Sequence, residues 1–193
     1  LVREAIQNVN IPGACTMIIV VINKFNNVAY TYQVGDADYL LLNGDGKIKS
    51  RGTPKYSAPK QPTYGALGLN APYRIARKHM TLEIDIDKAV MSRLHIEKDD
   101  TLILGSDGLW DNLFIQEIVS TASFAPDLTA ESIRDILIDK VTRRLYNDPP
   151  AEPGYNPWNK MSTPYSKERQ AIDPDYPDSP KIDDTTFIVY QMS

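Results

Sequence analysis

Three short acidic segments hold the residues whose types and spacing could do chemistry. Gly105-Ser106-Asp107-Gly108-Leu109-Trp110-Asp111 carries two carboxylates four residues apart, directly after the apolar run Thr101 to Leu104. Asp183-Asp184-Thr185-Thr186 sets two adjacent acids at the start of the last β-branched run. Val34-Gly35-Asp36-Ala37-Asp38 sets two more between apolar runs. Carboxylates gathered at strand ends are what hard divalent cations need, because Mg²⁺ and Mn²⁺ take oxygen ligands and keep water in their open positions. Neither His nor Cys is clustered with them, so zinc is not expected. Taken singly, each segment also has a plainer reading. Asp107 could bond local backbone N–H groups in a turn while Asp111 caps the next helix. Asp183 and Asp184 could be a solvated strand end, their side chains on opposite faces. Gly35-Asp36 could be only a turn.

The elements that must position these residues are mostly strands. Cys15 to Ile22 is short, β-branched and apolar, and reads as a buried strand with Cys15 as a core thiol. Val28 to Val34 reads as a second strand, broken by Gly35-Asp36. Tyr39 to Leu42 reads as a third, and Asn43-Gly44-Asp45-Gly46 is a hairpin signal that returns the chain at Ile48. This is an antiparallel meander. Arg51 to Arg74 holds prolines at 54, 59, 62 and 72 and reads as an irregular connection. Thr81 to Asp87 alternates strictly, as a half-buried strand does. Glu97 to Asp100 is a polar turn before the Thr101 to Leu104 strand.

Helical spacing follows. Ile115, Ile118 and Val119 mark a short helix. Leu128, Ser132, Ile136, Leu137, Val141 and Leu145 mark one face of a longer one, with Thr129 as its N-cap. Asp148 to Ile182 is a proline-rich insertion with eight prolines, either functional or a surface excursion. Thr185 to Gln191 reads as the final strand.

Composition narrows the function classes. The 193 residues are 42% apolar and 24% charged, as in ordinary globular proteins, with a net charge of −4. That balance offers no electrostatic footprint for nucleic acid or an anionic membrane. The longest apolar run, near Met17 to Ile22, is far shorter than a membrane span. A lone cysteine excludes an internal disulfide and fits a reducing compartment. The start lacks the zones of a secretory signal. The expected setting is intracellular, cytoplasmic or organellar, and not secreted.

Together the three acidic segments resemble, in type and order, the later motifs of the metal-dependent type-2C (PPM) serine/threonine phosphatases. Ser106 to Asn112 is the specific part, and the earlier Val34 to Ala37 turn and the final Asp183 to Thr186 segment fall in the family order. The resemblance runs from about Cys15 to Tyr190. Ala71 to Arg74 and Asn156 to Trp158 are most similar to the eukaryotic branch that includes mitochondrial-matrix members. The resemblance implies an α+β fold, part of a four-layer α-β-β-α sandwich with two antiparallel sheets. It implies Mg²⁺ or Mn²⁺ as cofactor, two or three ions in the complete domain. Asp107 and Asp183 would ligate the first ion, and Asp36, Asp107 and Asp111 a third, weaker one. The reaction implied is hydrolysis of phosphoserine and phosphothreonine in proteins by a metal-activated water, without a covalent enzyme intermediate. The partner would be a phosphoprotein substrate.

The sequence also departs from the family pattern. The family's Asp-Gly-x-Gly-Gly metal motif, with its upstream phosphate-binding arginine, does not occur. Asp45-Gly46 lies in the hairpin and does not match it. Where the family commonly has Gly-Asp-Ser-Arg or Gly-Asp-Ser-Gly, this chain reads Gly35-Asp36-Ala37-Asp38, a new negative charge beside the third-metal position. The expectation is that residues 1–193 form the C-terminal portion of one catalytic domain, its N-terminal strands and first metal motif missing. The alternative is a non-catalytic pseudophosphatase that binds phosphoproteins or regulatory partners. A third reading, independent of the resemblance, is an acidic β-rich module binding Ca²⁺ through Asp107 and Asp111. His79, His95, Arg51, Lys55, Lys60 and Arg74 read as ordinary strand or loop residues.

Overall fold

The computed structural model describes residues 4, 14–53, 75–76, 89–123, 128–146, 162–171 and 173–192. The expected Arg51 to Arg74 connection lies mostly outside these residues, as do the Thr81 to Asp87 strand, His79 and the first half of the 148–182 insertion. In chain order the described elements are strands β1 (Ala14–Cys15), β2 (Met17–Asn23), β3 (Val28–Val34), β4 (Asp38–Leu42), β5 (Ile48–Arg51), β6 (Ile75–Ala76), β7 (Val90–His95) and β8 (Thr101–Gly105). Helices α1 (Asp107–Trp110), α2 (Ile115–Ser123), α3 (Ala130–Tyr146) and α4 (Pro164–Gln170) follow, then strand β9 (Phe187–Gln191). The chain divides into two compact units, Leu1–Asp38 with Arg51–Ile96, and Tyr39–Ser50 with Glu97–Ser193.

The first unit is built on a three-stranded antiparallel sheet in the order β2-β3-β7. Met17 pairs with Val34 and Asn23 with Val28, so a four-residue turn joins β2 to β3. Asn27 takes a left-handed φ of 54° in that turn, a conformation asparagine tolerates well. β7 pairs along the other edge of β3, Val28 opposite His95 and Gln33 opposite Val90. The period of two is visible in β3: Ala29, Thr31 and Gln33 are buried, while Tyr30 is exposed. β7 was not expected from the sequence, because Ser92 interrupts its inward row of Val90 and Leu94 and the apolar Met91 faces outward, so no alternation stands out. A separate two-stranded pairing joins β1 to β6. Cys15 is exposed, a correction to its expected place in the core. Thr16 interrupts the strand, and Cys15 lies on the short β1 piece, outside the main sheet.

The second unit carries a four-stranded sheet in the order β5-β4-β8-β9. The expected hairpin joins β4 to β5: Asn43 N–H donates to the Lys47 carbonyl at 2.8 Å, and Gly46 takes φ 74°. β8 and β9 are antiparallel, with Thr101 opposite Gln191 and Gly105 opposite Phe187. The helices bury one side of this sheet. Leu40, Leu42 and Ile103 meet Leu109, Trp110, Leu113, Ile118, Ile133, Leu137 and Val141 in one core. Each such aliphatic side chain contributes about 1.5–3 kcal/mol of burial. Thr129 caps α3 as expected, its hydroxyl accepting from Ser132 N–H at 3.2 Å. The buried face of α3 is Ile133, Leu137 and Val141, a strict i, i+4 row. That corrects the expected stripe, since Ile136 is 38% exposed. Two antiparallel sheets with accompanying helices confirm the α+β class.

Candidate metal centre

The candidate site forms where β8 ends. Ser106 is extended (φ −72°, ψ 170°), and the chain then makes a single helical turn from Asp107. Asp111 N–H closes that turn on the Asp107 carbonyl at 2.8 Å. A spacing of four on one helical turn stacks the two carboxylates on the same side. The tight turn read from Ser-Asp-Gly is therefore one turn of helix. Leu109 and Trp110 point the other way into the core, and Trp110 Nε1 donates to the Gly105 carbonyl at 2.8 Å. Apolar anchors on one side thus fix the acids on the other.

Asp183 reaches the same place from the segment that leads into β9. The β8–β9 ladder continues one pair past its formal end. Ser106 N–H donates to the Thr186 carbonyl at 2.9 Å, and Thr186 N–H donates to Ser106 Oγ at 3.1 Å. Gly108 makes this approach possible. A Cβ there would lie 2.6 Å from the Asp184 carbonyl oxygen and 2.9 Å from Thr185 Cα.

Two residues that sequence reasoning missed complete the geometry. Asn112 is fully buried and acts as a double clamp. Its Nδ2 donates to the Gly108 and Lys181 carbonyls, each at 2.9 Å, while its Oδ1 accepts from Lys181 N–H at 2.9 Å. Lys181 then turns its ammonium into the acids. Nζ bonds Asp107 Oδ2, lies 3.0 Å from Asp111 Oδ2 and 3.2 Å from Asp183 Oδ2. Asn112 had a signal in the sequence, since it directly follows the acidic motif. Lys181 had none beyond its closeness to Asp183.

Electrostatics describe an acid-rich cluster with too little positive charge. Burial raises the Asp111 carboxyl above its ordinary value. Lys181 opposes that rise, and the nearby Asp107 and Glu168 carboxylates reinforce it. Burial alone would lower the Lys181 ammonium, but its hydrogen bond to Asp107 and the charge of Asp111 outweigh burial and raise it. Three carboxylates thus share one ammonium, and burial raises the pKa of one of them, Asp111.

Of the four expected ligands, the structure brings Asp107, Asp111 and Asp183 around a single cation. Asp36 belongs to the first unit. It sits at the bend after β3, where Gly35 has φ 89° and buried Gln33 donates through Nε2 to the Ala37 carbonyl at 2.6 Å. Asp38, expected as a charge beside the third-metal position, is wholly buried, and Arg51 Nε meets its Oδ2 at 3.1 Å. It is a paired structural carboxylate.

No protein-family profile matches the sequence. The chain is 25% identical over 135 residues to Protein phosphatase PTC7 homolog fig of Drosophila persimilis, covering 68% of this chain and 39% of that protein. It is 28% identical over 190 residues to Probable protein phosphatase 2C 26 of Arabidopsis thaliana, covering 93% of this chain and 55% of that protein. The solved structure of the photosystem II phosphatase PBCP matches with a TM-score of 0.77 at 21% identity, over 98% of this chain and 68% of that one. Both curated relatives are named as protein phosphatases and the structural likeness is to a phosphatase, so the type-2C family is the one these likenesses support. It spans about two fifths to just over half the length of these two curated relatives.

Whether the acids of this site suit a divalent metal can be judged from their donors. All are hard carboxylate oxygens from the ends of two paired strands, as Mg²⁺ and Mn²⁺ require. Their common neighbour is already a cation, the Lys181 ammonium, which marks the point on which they converge. Among the described residues, no three acidic, His or Cys side chains are spaced to hold an ion as they stand. The carboxylates are spread for N···O contacts near 3 Å, whereas metal–oxygen bonds of about 2.1 Å draw ligands closer. The donor set fits, and its spacing is that of an ammonium.

Proposed function

We propose that the whole protein is a Mg²⁺- or Mn²⁺-dependent hydrolase of phosphoserine and phosphothreonine in proteins. The observation that carries this reading is the convergence of Asp107, Asp111 and Asp183 on one cation at the shared end of β8 and β9. Asp107 and Asp183 would ligate one ion, and Asp107 and Asp111 would contribute to a further, weaker one. A bound dication would neutralise phosphate oxygens and lower the pKa of a coordinated water towards neutrality. The chain's own residues supply the rigid frame. Asn112 fixes the α1 turn against Lys181, and Gly108 lets the Asp184–Thr185 backbone come close. No described helix is long and apolar enough to cross a membrane, and we place the protein inside the cell, in the cytoplasm or an organelle.

The test is hydrolysis of a phosphothreonine peptide by the full-length protein, with and without Mn²⁺, beside its Asp107→Ala variant. The expected result is Mn²⁺-dependent turnover that disappears in the variant while the circular dichroism spectrum is kept. Mn²⁺ binding without turnover would identify a non-catalytic phosphoprotein-binding member. Binding of Ca²⁺ in preference to Mn²⁺ would replace this reading with a calcium-binding module.

A further inference from the structure

We infer that Lys181 is a tethered counter-cation that a divalent metal must displace, so that metal affinity is set by competition with the chain's own ammonium. This rests on the reading of the acidic cluster as a metal centre.

The first support is position. Lys181 Nζ contacts all three carboxylates together, at the point on which they converge. A dication bound by the same oxygens would put two positive charges within a few ångströms of an ammonium in a partly buried site, where like charges repel strongly. The two cations exclude each other. Spacing agrees, because the carboxylates stand apart as an ammonium requires and wider than a metal would hold them.

The second support is the strap that delivers Lys181. Residues 162–171 and 173–181 are tied to the acidic motif and to one another at many points. Thr163 and Ser166 form a reciprocal capping box at the start of α4, with Pro164 in the first turn. Thr163 Oγ1 donates to the Ser179 carbonyl at 2.7 Å, and Gln170 Nε2 to the Tyr176 carbonyl at 2.9 Å. The Arg169 guanidinium lies over the Tyr165 and Tyr176 rings, 5.2 and 5.6 Å from their centroids. Tyr165 N–H donates to the Asp111 carbonyl at 3.0 Å, which joins the strap directly to the motif. The Asn112 clamp then pins the Lys181 backbone. With the backbone held at so many points, the four-carbon stem is the part of Lys181 freest to move. A pinned backbone with a mobile charged tip suits a displaceable cation. In the metal-free state the ammonium screens three carboxylates that would otherwise repel one another, and in the loaded state it swings aside.

The experiment is Mn²⁺ titration of the full-length protein by calorimetry and by loss of the free-Mn²⁺ paramagnetic resonance signal. The wild type is compared with Lys181→Met, Lys181→Arg and Asp107→Asn. Lys181→Met is expected to tighten the Mn²⁺ dissociation constant tenfold or more, while Lys181→Arg, which keeps the charge, stays near the wild type. Mn²⁺ binding by Lys181→Met that is equal to or weaker than wild type overturns the competition. Asp107→Asn separates this inference from the reading beneath it. If Asp107→Asn binds Mn²⁺ like wild type, or if no variant binds, the metal centre itself is wrong and the inference falls with it. If Lys181→Met does not fold, the wild type still decides the matter. Its Lys181 is expected to be acetylated by a mild acylating reagent several times faster with Mn²⁺ than without, as read by peptide mass spectrometry. An unchanged or slower rate overturns the displacement.

Discussion

The two ends of strand β8 carry the same charge types and do different things. At its start, Lys49 Nζ meets Asp100 Oδ2 at 2.7 Å and Glu97 Oε2 at 2.8 Å. At its far end, Lys181 meets Asp107, Asp111 and Asp183. Asp100 is 1% exposed, and its Oδ2 also accepts from Glu97 N–H at 2.8 Å. One buried carboxylate there has a backbone donor and an ammonium that it shares with the exposed Glu97. At the far end three half-open carboxylates divide one ammonium, and burial holds one of them above its ordinary pKa. Glu97 to Asp100 is the denser acidic run in sequence, yet it is a closed structural turn. Acid count therefore does not mark a site; an excess of acceptors over donors at a reachable position does.

The sharpest way to break this contrast is to neutralise one acid at each end. Asp107→Asn should lower metal-dependent turnover about a thousandfold or more, equivalent to about 4 kcal/mol of barrier, and move the melting temperature little. Asp100→Asn should do the reverse. It removes the charge that Lys49 and the Glu97 N–H both use, at a cost of about 1–3 kcal/mol, and should leave Mn²⁺-dependent turnover in place. Steady-state assays and thermal melts of the two variants decide the matter. An Asp100→Asn protein that melts normally but loses turnover would show that the two ends have been assigned the wrong way round.

Glycines sharpen the same comparison with a smaller effect. Gly108→Ala drives a Cβ into the Asp184 carbonyl and the Thr185 backbone, so the 183–186 segment must move away from α1. The expected cost is about 1–3 kcal/mol of stability, together with weaker Mn²⁺ binding. Gly46→Ala, in the hairpin near the other end of the sheet, meets a left-handed φ of 74° and drives its Cβ into the Ser123 hydroxyl. It should cost stability alone. Urea unfolding and Mn²⁺ titration of both variants separate the outcomes, and equal Mn²⁺ affinity in the two would break the link between Gly108 and the site.

What could be read in advance follows from how local each signal is. β3, the β4–β5 hairpin and the acidic motif rest on alternation, on Asn-Gly-Asp-Gly and on a contiguous run, and all three were legible. Asp38 looked like a stray charge near a metal, because its partner Arg51 is thirteen residues away across a hairpin. Lys181 was invisible for the same reason. Its meaning depends on Asp107, 74 residues earlier, and on a proline-rich segment that carries no periodicity. Cys15 was read as core because apolar neighbours suggest burial, whereas burial requires something to pack against the strand. The stripe of α3 was right at Leu137 and Val141 but took Ile136 in place of Ile133, since the two are equally apolar and only tertiary packing chooses between them.

The smallest effect is a pH dependence at the Lys49 end. Burial lowers the Lys49 ammonium, but hydrogen bonds to Asp100 and Glu97 raise it further, so its folded value lies above 10.5. The folded chain therefore holds this proton more tightly than the unfolded chain does. The stabilisation is complete below pH 10.5 and is lost as pH rises through the higher folded value. Glu97 is 60% exposed and adds little, so the whole contribution should stay below about 1 kcal/mol. In the metal-free chain Lys181 titrates with the same sign, since its folded value is also raised. Lys49→Met should therefore reduce the stability lost above pH 10.5 without abolishing it, and Lys49→Met with Lys181→Met should reduce it further. Urea midpoints between pH 9 and pH 12 measure this directly. A single Lys49→Met change that removed all of the alkaline loss would mean that the ammonium at the far end does not stabilise the metal-free fold.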